Sequence, residues 1–452
     1  MKQRSNFSSK VGFVLAAAGS AVGLGNLWRF PYLAAQYGGG TFLFVYLILA
    51  VTFGFTLMIA EIAIGRKTGL SAIGAFQLLD KRFSFLGLLA SIVPVIIFPY
   101  YSVIGGWVIK YFAAFVSGNV EAAAADNYFT NFISSTTEPL GWFFLFIALT
   151  SVIVLLGVEK GIETVSKFMM PVLVILTIGI AFYGLTIDGA MEGLIYYIKP
   201  SMENFSVKTI LAAMGQLFYS MSLAMGIMIT YGSYMKKDNN MESSVRQIEI
   251  FDTGIAFFAG LMIIPAVFSF SGGTAENLGK GPSLMFITLP KVFHNMPLGK
   301  AIGTLFFLLV FFAALTSAIS LMETIVSILR DKFHWERSFT CILVTVIALL
   351  MGVPSSLGFG VWSHISFFGK LSILDMFDFV SNSVLMPIVA IFTCIFVGFI
   401  IGPKSISDEV KISNGTFKGE KLFSVMIKWI APIFLIAILV SSILDVLGIF
   451  TI

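Results

Sequence analysis

Between residues 16 and 31 the chain reads AAAGSAVGLGNLWRFP. Three glycines, an asparagine and an arginine interrupt an apolar run long enough to cross a bilayer. An arginine at the centre of a span costs roughly 2.5 to 3.5 kcal/mol even on lenient insertion scales, so Arg29 needs a partner or water. Gly23 and Gly25 allow the backbone to leave the helix, and Asn26 supplies a neutral side-chain oxygen. A helix broken at mid-depth exposes N–H groups where one half starts and carbonyls where the other half ends. The first suit an anion and the second a cation. A second run, GQLFYSMSLAMGIMITYGSY at residues 215 to 234, is interrupted in the same manner near Leu223. Two such breaks facing one another can hold a zwitterion and Na⁺ side by side. Glycines in one membrane helix serve close packing equally well. A matched pair of breaks, with Asn26 and Arg29 beside one of them, favours a binding site.

The elements that must position these groups are membrane helices. Of 452 residues 58% are hydrophobic and 12% charged, with a mean hydropathy of +0.95. Soluble chains carry about 25% charged residues. A span needs roughly 20 apolar residues. Eleven candidates are centred near residues 24, 54, 100, 149, 174, 220, 256, 313, 344, 387 and 437. None shows the long alternation of outer-membrane strands, so each is read as an α-helix. With the N-terminus inside, twenty of the 28 Lys and Arg fall on cytoplasmic segments and six on external ones, leaving Lys110 and Arg29 within spans. That bias fixes an orientation with the C-terminus outside. The net charge of +4 is thus no nucleic-acid footprint.

The two breaks fall at corresponding places in two five-span blocks, residues 11–186 and 207–401. Because five is odd, the second block is inverted relative to the first, the arrangement that places a transporter's site at the repeat interface. A cytoplasmic tail (1–10), an external connection (187–206), a mobile cytoplasmic linker (402–422) and an eleventh helix (423–452) complete the plan. Cys341 and Cys394 fall inside predicted helices, as small buried hydrophobes with no disulfide or metal expected. The apolar run continues past Ala18, against a cleaved signal peptide. His294, His334 and His364 are too scattered for a metal cluster. No nucleophile or acid converges on the breaks, so an enzyme is disfavoured, and a closed central site disfavours a channel. A membrane sensor that binds without transporting stays open.

GSAVGLGNLWRFP resembles the first-helix signature of the neurotransmitter:sodium symporters. The likeness recurs in GQLFYSMSLAMG, LLVFFAALTSAISLME, FPYYSVIGGW, LDMFDF and the Gly161 to Pro171 run. It implies the LeuT fold: an all-α integral membrane protein of eleven transmembrane helices, two inverted five-helix repeats plus one C-terminal helix. The implied activity is sodium-coupled import of an amino acid across the cell's inner membrane. Two Na⁺ ions are implied. One would be held by the carbonyls of Gly19, Val22 and Ala313 with the hydroxyls of Thr316 and Ser317. The other would be held by the Ala21 carbonyl, Asn26, Ser220 and Asp252, completed by the substrate carboxylate. Taken alone, a hydroxyl such as Thr316 or Ser317 more commonly bonds back to its own helix.

The same resemblance places the substrate carboxylate against the N–H groups of Leu24 and Gly25 and the Tyr101 hydroxyl. The amino group would meet Ala21 and carbonyls near Tyr219, Ser220 and Ser222. Ile97, Tyr219, Met225 and Leu321 would surround the side chain, beside Ser317. A charged side chain has no partner there, so a neutral, hydrophobic amino acid is expected. Met225 enlarges the pocket and Ala224 trims it, leaving leucine, methionine, tyrosine and tryptophan unranked. Asp252 stands where LeuT and the chloride-dependent animal members carry asparagine; with a carboxylate already at that spot no chloride requirement is expected, since a second anion there meets repulsion. The other reading of Asp252 is a solvent-facing residue near the cytoplasmic side. For gates, the resemblance implies a water-mediated Arg29–Asp378 pair outside, and an Arg4–Asp331 pair inside with Phe7 and Tyr234.

Overall fold

A computed structural model describes residues 6–271, 281–413 and 415–449. Arg4 of the expected inner gate, with Lys2 and Lys280, lies outside the described residues. The described chain is helical throughout, apart from connections and one isolated bridge between Phe367 and Leu371. Nine described helices are long and apolar enough to cross a membrane, from Gly40–Thr68 to Glu420–Val446. A tenth crossing is the pair Lys10–Ala21 and Gly25–Gln36, bent by 54° at its break. The Val207–Ser220 and Ile227–Ser233 helices flank the second interruption.

Several helices contain wide turns in which an N–H reaches five residues back. Phe30 bonds the Gly25 carbonyl this way, and Ile162 bonds the Gly157 carbonyl at 3.1 Å. Such turns release backbone groups from the regular ladder, which is why they gather at functional sites. The 35-residue helix Gly299–Phe333 is buried along most of its length and runs past both breaks, bringing Thr316, Ser317 and Leu321 to mid-depth.

Where the sequence suggests a mobile linker, residues Pro403–Lys411 form a helix docked against the end of the Phe55–Thr68 helix. Arg66 holds it: its Nε donates to Glu409 Oε1 at 2.9 Å and its Nη1 to the Asn239 carbonyl at 2.9 Å. Lys237 pairs with the same carboxylate at 2.7 Å. The Arg66 and Glu409 side chains are only 0% and 4% exposed, so without Glu409 the Arg66 charge would be buried with no carboxylate beside it. Cys341 and Cys394 are buried free thiols.

Candidate binding site between two broken helices

The first helix ends where Val22 turns extended (φ −73, ψ 101) after its N–H closes the last turn onto the Ala18 carbonyl. Gly25 resumes helical structure. Both flanking glycines face crowded neighbours. A Cβ on Gly23 would lie 2.8 Å from Ser317 Oγ, and one on Gly25 would lie 2.7 Å from the Tyr219 ring. In the second break Ser222 (φ 54) and Ala224 (φ 61) are left-handed, as is Gly226. Left-handed backbone costs a non-glycine residue about 1 to 2 kcal/mol. Directed hydrogen bonds offset that cost. Ser222 Oγ donates to the Ser20 carbonyl at 2.9 Å, and Ser20 Oγ donates to Ser222 Oγ at 3.2 Å. The Ala224 N–H donates to buried Glu61 Oε1 at 2.7 Å. The two breaks therefore meet face to face.

They line a narrow, partly open cavity. All eleven residues expected around a substrate line it: Ala21, Leu24, Gly25, Ile97, Tyr101, Tyr219, Ser220, Ser222, Met225, Ser317 and Leu321. Ser20, Gly23, Asn26 and Ile227 line it too. Of these, Ile227 had no sequence signal beyond its place just past the second break. The cavity is polar at the breaks and apolar around Ile97, Met225, Ile227 and Leu321. The Tyr101 hydroxyl is buried and has no hydrogen-bond partner among the described residues, leaving a donor for a guest.

Two oxygen clusters adjoin the cavity. In the first, Ser317 Oγ crosses to the first break, donating toward the carbonyls of Ser20 at 3.1 Å and of Gly19 and Val22 at 3.4 Å. Thr316 instead bonds back to the Phe312 and Ala313 carbonyls at 3.0 and 3.2 Å. Of the oxygens named for one ion, Ser317 thus reaches those of Gly19 and Val22, whereas the Thr316 hydroxyl and the Ala313 carbonyl are bonded to each other within their own helix. In the second cluster, Asp252 Oδ1 accepts from Ser220 Oγ at 2.7 Å and from Asn26 Nδ2 at 2.8 Å. The Tyr46 hydroxyl donates to Oδ2 at 3.4 Å. Asn26 Oδ1 accepts from the Gly23 N–H at 3.0 Å. Asp252 is 0% exposed, inside the Met241–Ser271 helix and not at a solvent-facing end.

At one end of the cavity the Arg29 guanidinium stacks over the Tyr219 ring, 5.1 Å from its centroid. Asp378 accepts from the Tyr100 hydroxyl at 3.1 Å and from Asn382 Nδ2 at 2.6 Å. Among the described residues no direct ion pair joins Arg29 to Asp378. Among the residues expected at the inner gate, Phe7 is buried edge-on against Tyr231 and Tyr234, with ring centroids 5.6 and 6.1 Å away. Its N–H donates to the Tyr234 carbonyl at 3.2 Å. The Tyr234 hydroxyl donates to Glu323 Oε1 at 2.8 Å, and Glu323 also pairs with Arg337. Asp331 accepts from the Ser71 N–H at 2.8 Å. Sequence reasoning assigned no role to Glu61, Glu163 and Glu323, three buried carboxylates, although Glu163 lies in the Gly161 to Pro171 run and Glu323 ends LLVFFAALTSAISLME.

The geometry agrees with what the chain is similar to. The model of the Sodium:neurotransmitter symporter family matches residues 4–134 and 130–449. The uncharacterized sodium-dependent transporter YhdH of Bacillus subtilis is 35% identical over 452 residues, covering 97% of each chain. An uncharacterized sodium-dependent transporter of Haemophilus influenzae is 33% identical, covering 98% of each chain. The crystal structure of MhsT in complex with L-phenylalanine superposes with a TM-score of 0.88 at 37% identity, covering 97% of this chain and 100% of that one. This multi-pass membrane chain is a sodium-coupled transporter and not an enzyme, and it belongs to the sodium:neurotransmitter symporter family.

Proposed function

We propose that the protein imports a neutral, hydrophobic amino acid, aliphatic or aromatic, together with two sodium ions and without a chloride requirement. The observation that carries this reading is the cavity between the breaks, polar at one end and apolar around Ile97, Met225 and Leu321. An α-carboxylate reaches the Tyr101 hydroxyl and the N–H groups of Leu24 and Gly25, while the ammonium faces carbonyls of the second break. The carboxylate also completes the sodium shell begun by Ala21, Asn26, Ser220 and Asp252. Each guest then raises the other's affinity by the same factor. The second ion, at Gly19, Val22, Ala313, Thr316 and Ser317, ties the first break to the long helix. Asp252 supplies the negative charge that chloride would otherwise bring.

Counting the Val207–Ser220 and Ile227–Ser233 helices as one broken span gives eleven crossings, two inverted repeats (11–186 and 207–401) and an extra C-terminal helix. Residues 1–10 and 402–422 then lie in the cytoplasm, the C-terminus outside, and the protein in the plasma membrane. Arg29 and Asp378 close the outer path through water above Tyr101 and Tyr219. Phe7, Tyr234 and Asp331, with Arg4, close the inner one. Such pairs must break each cycle, and partly hydrated pairs are weak enough to do so. The test is displacement of a bound labelled amino acid by each of the twenty, in sodium and in potassium. Displacement by hydrophobic neutral amino acids, in sodium alone, is expected. Preference for a charged one would overturn the substrate class.

A further inference from the structure

Glu163 is not among the residues that line the central cavity or that are expected to hold an ion. Its side chain is 1% exposed. It closes the wide turn Val158–Glu163, in which Ile162 reaches back to the Gly157 carbonyl. Both of its oxygens serve the N-terminal segment. Oε2 accepts from the Ser8 N–H at 2.7 Å, and Oε1 accepts from the Ser8 hydroxyl and, at 3.1 Å, from the Ser9 hydroxyl. Lys167, itself 40% exposed, adds a fourth donor to Oε1 at 2.7 Å. All four partners donate. A carboxylate satisfies them, whereas an amide, whose nitrogen also donates, cannot.

These contacts fall on the start of the first helix. Ser9 caps that helix, its hydroxyl accepting from the Gly12 N–H at 3.1 Å while it donates to Glu163. Gly12 leaves the room the carboxylate needs, since a Cβ there would lie 1.9 Å from Glu163 Oε1. From this cap the helix Lys10–Ala21 runs without interruption to Val22, where the first break begins. The same N-terminal segment is held on its other side by the end of the second broken span. The Phe7 N–H donates to the Tyr234 carbonyl at 3.2 Å, and Lys236 Nζ donates to the Ser8 carbonyl at 3.0 Å. Glu163 therefore joins the wide turn to a segment that both broken spans share.

We infer that Glu163 is a positioning residue for the transport cycle: its carboxylate locks the start of the first helix to the wide turn, so that segment and turn open together. The inference rests on the proposed closure of the inner path by Phe7 and its neighbours. Such coupling is reciprocal, so a change on either side must be felt on the other. The experiment is hydrogen–deuterium exchange of the purified full chain, read at residues 6–12 and 157–165, because amide exchange reports local opening. In the unsubstituted chain, replacing sodium and L-leucine by potassium should raise exchange in both stretches together. Glu163→Gln should raise it about tenfold or more in both with sodium and L-leucine present, the worth of a hydrogen bond to a charged group. Gly12→Ala, which displaces the carboxylate from the first helix, should loosen 157–165 as well, and Ser8→Ala should do so more weakly. Lys167→Gln removes an exposed donor and should change neither stretch more than about twofold. A merely structural role would loosen only the stretch that carries the substitution. Exchange at 157–165 unchanged in both Gly12→Ala and Ser8→Ala, or one stretch of the unsubstituted chain responding without the other, would overturn the lock. If neither stretch responds to sodium and L-leucine while Gly12→Ala still loosens 157–165, the lock stands and the proposed function fails.

Discussion

Replacing Asp252 by asparagine removes one negative charge and almost no volume from a fully buried position. The carboxylate takes hydrogen bonds from Ser220 at 2.7 Å, Asn26 at 2.8 Å and Tyr46 at 3.4 Å, and none of these partners carries a charge. Its formal charge is therefore available to a cation. At a separation of about 4 Å and an effective dielectric of about 20, that attraction is about 4 kcal/mol. Two effects reduce the net loss: the amide keeps one oxygen, and a buried carboxylate carries a desolvation cost that the variant escapes. A net weakening of about 1.4 to 2.8 kcal/mol corresponds to a ten- to hundredfold rise in half-saturating sodium. The assay is sodium-dependent uptake of labelled L-leucine into proteoliposomes, with chloride or gluconate outside. The unsubstituted protein is expected to be indifferent to the anion. Asp252→Asn should need more sodium and regain part of its activity in chloride. Uptake by the unsubstituted protein that collapses in gluconate, or a variant with sodium dependence changed less than twofold, refutes the reasoning.

Gly25→Ala should abolish amino acid binding, because its methyl would lie 2.7 Å from the Tyr219 ring at the cavity wall; equilibrium binding measures it. Tyr101→Phe removes the unpartnered hydroxyl, and a lost hydrogen bond to a charged group, about 1.5 to 3 kcal/mol, should weaken binding at least tenfold in the same assay. Gly161→Ala places a methyl 2.1 Å from the Ile153 carbonyl in the wide turn, so inward sodium release should slow; unchanged sodium-efflux kinetics would count against it. Arg66→Ala strands Glu409 on Lys237 alone and should cost about 3 kcal/mol, read as a lowered unfolding temperature and faster proteolysis of the 403–411 helix.

The central site was legible because its chemistry conflicts with a membrane span. Glycine, asparagine and arginine inside an apolar run have few explanations, and the run near Ser222 repeats the conflict. Asp252 was legible only as a departure from the family's asparagine, and its burial needed coordinates. The left-handed residues Ser222 and Ala224 were hidden, since neither is a type that favours that conformation; the acceptors that hold them, the Glu61 carboxylate and the Ser20 carbonyl, come from elsewhere in the chain. The docked 403–411 helix was hidden for a related reason. Its polar composition reads as solvated loop, and the Arg66–Glu409 pair that orders it spans 343 residues of sequence. Phe7 was legible as a gate aromatic from the family pattern, but not the Glu323–Arg337 pair beneath Tyr234.

The central claim is that sodium and an amino acid share one cradle and cross together. Its most direct measurement is uptake of labelled L-leucine into proteoliposomes holding potassium, under an inward sodium gradient or under none. Accumulation above the external concentration, driven by the gradient and abolished by sodium ionophore, is the predicted result. Sodium-dependent binding with no accumulation, or accumulation indifferent to the gradient, would contradict it.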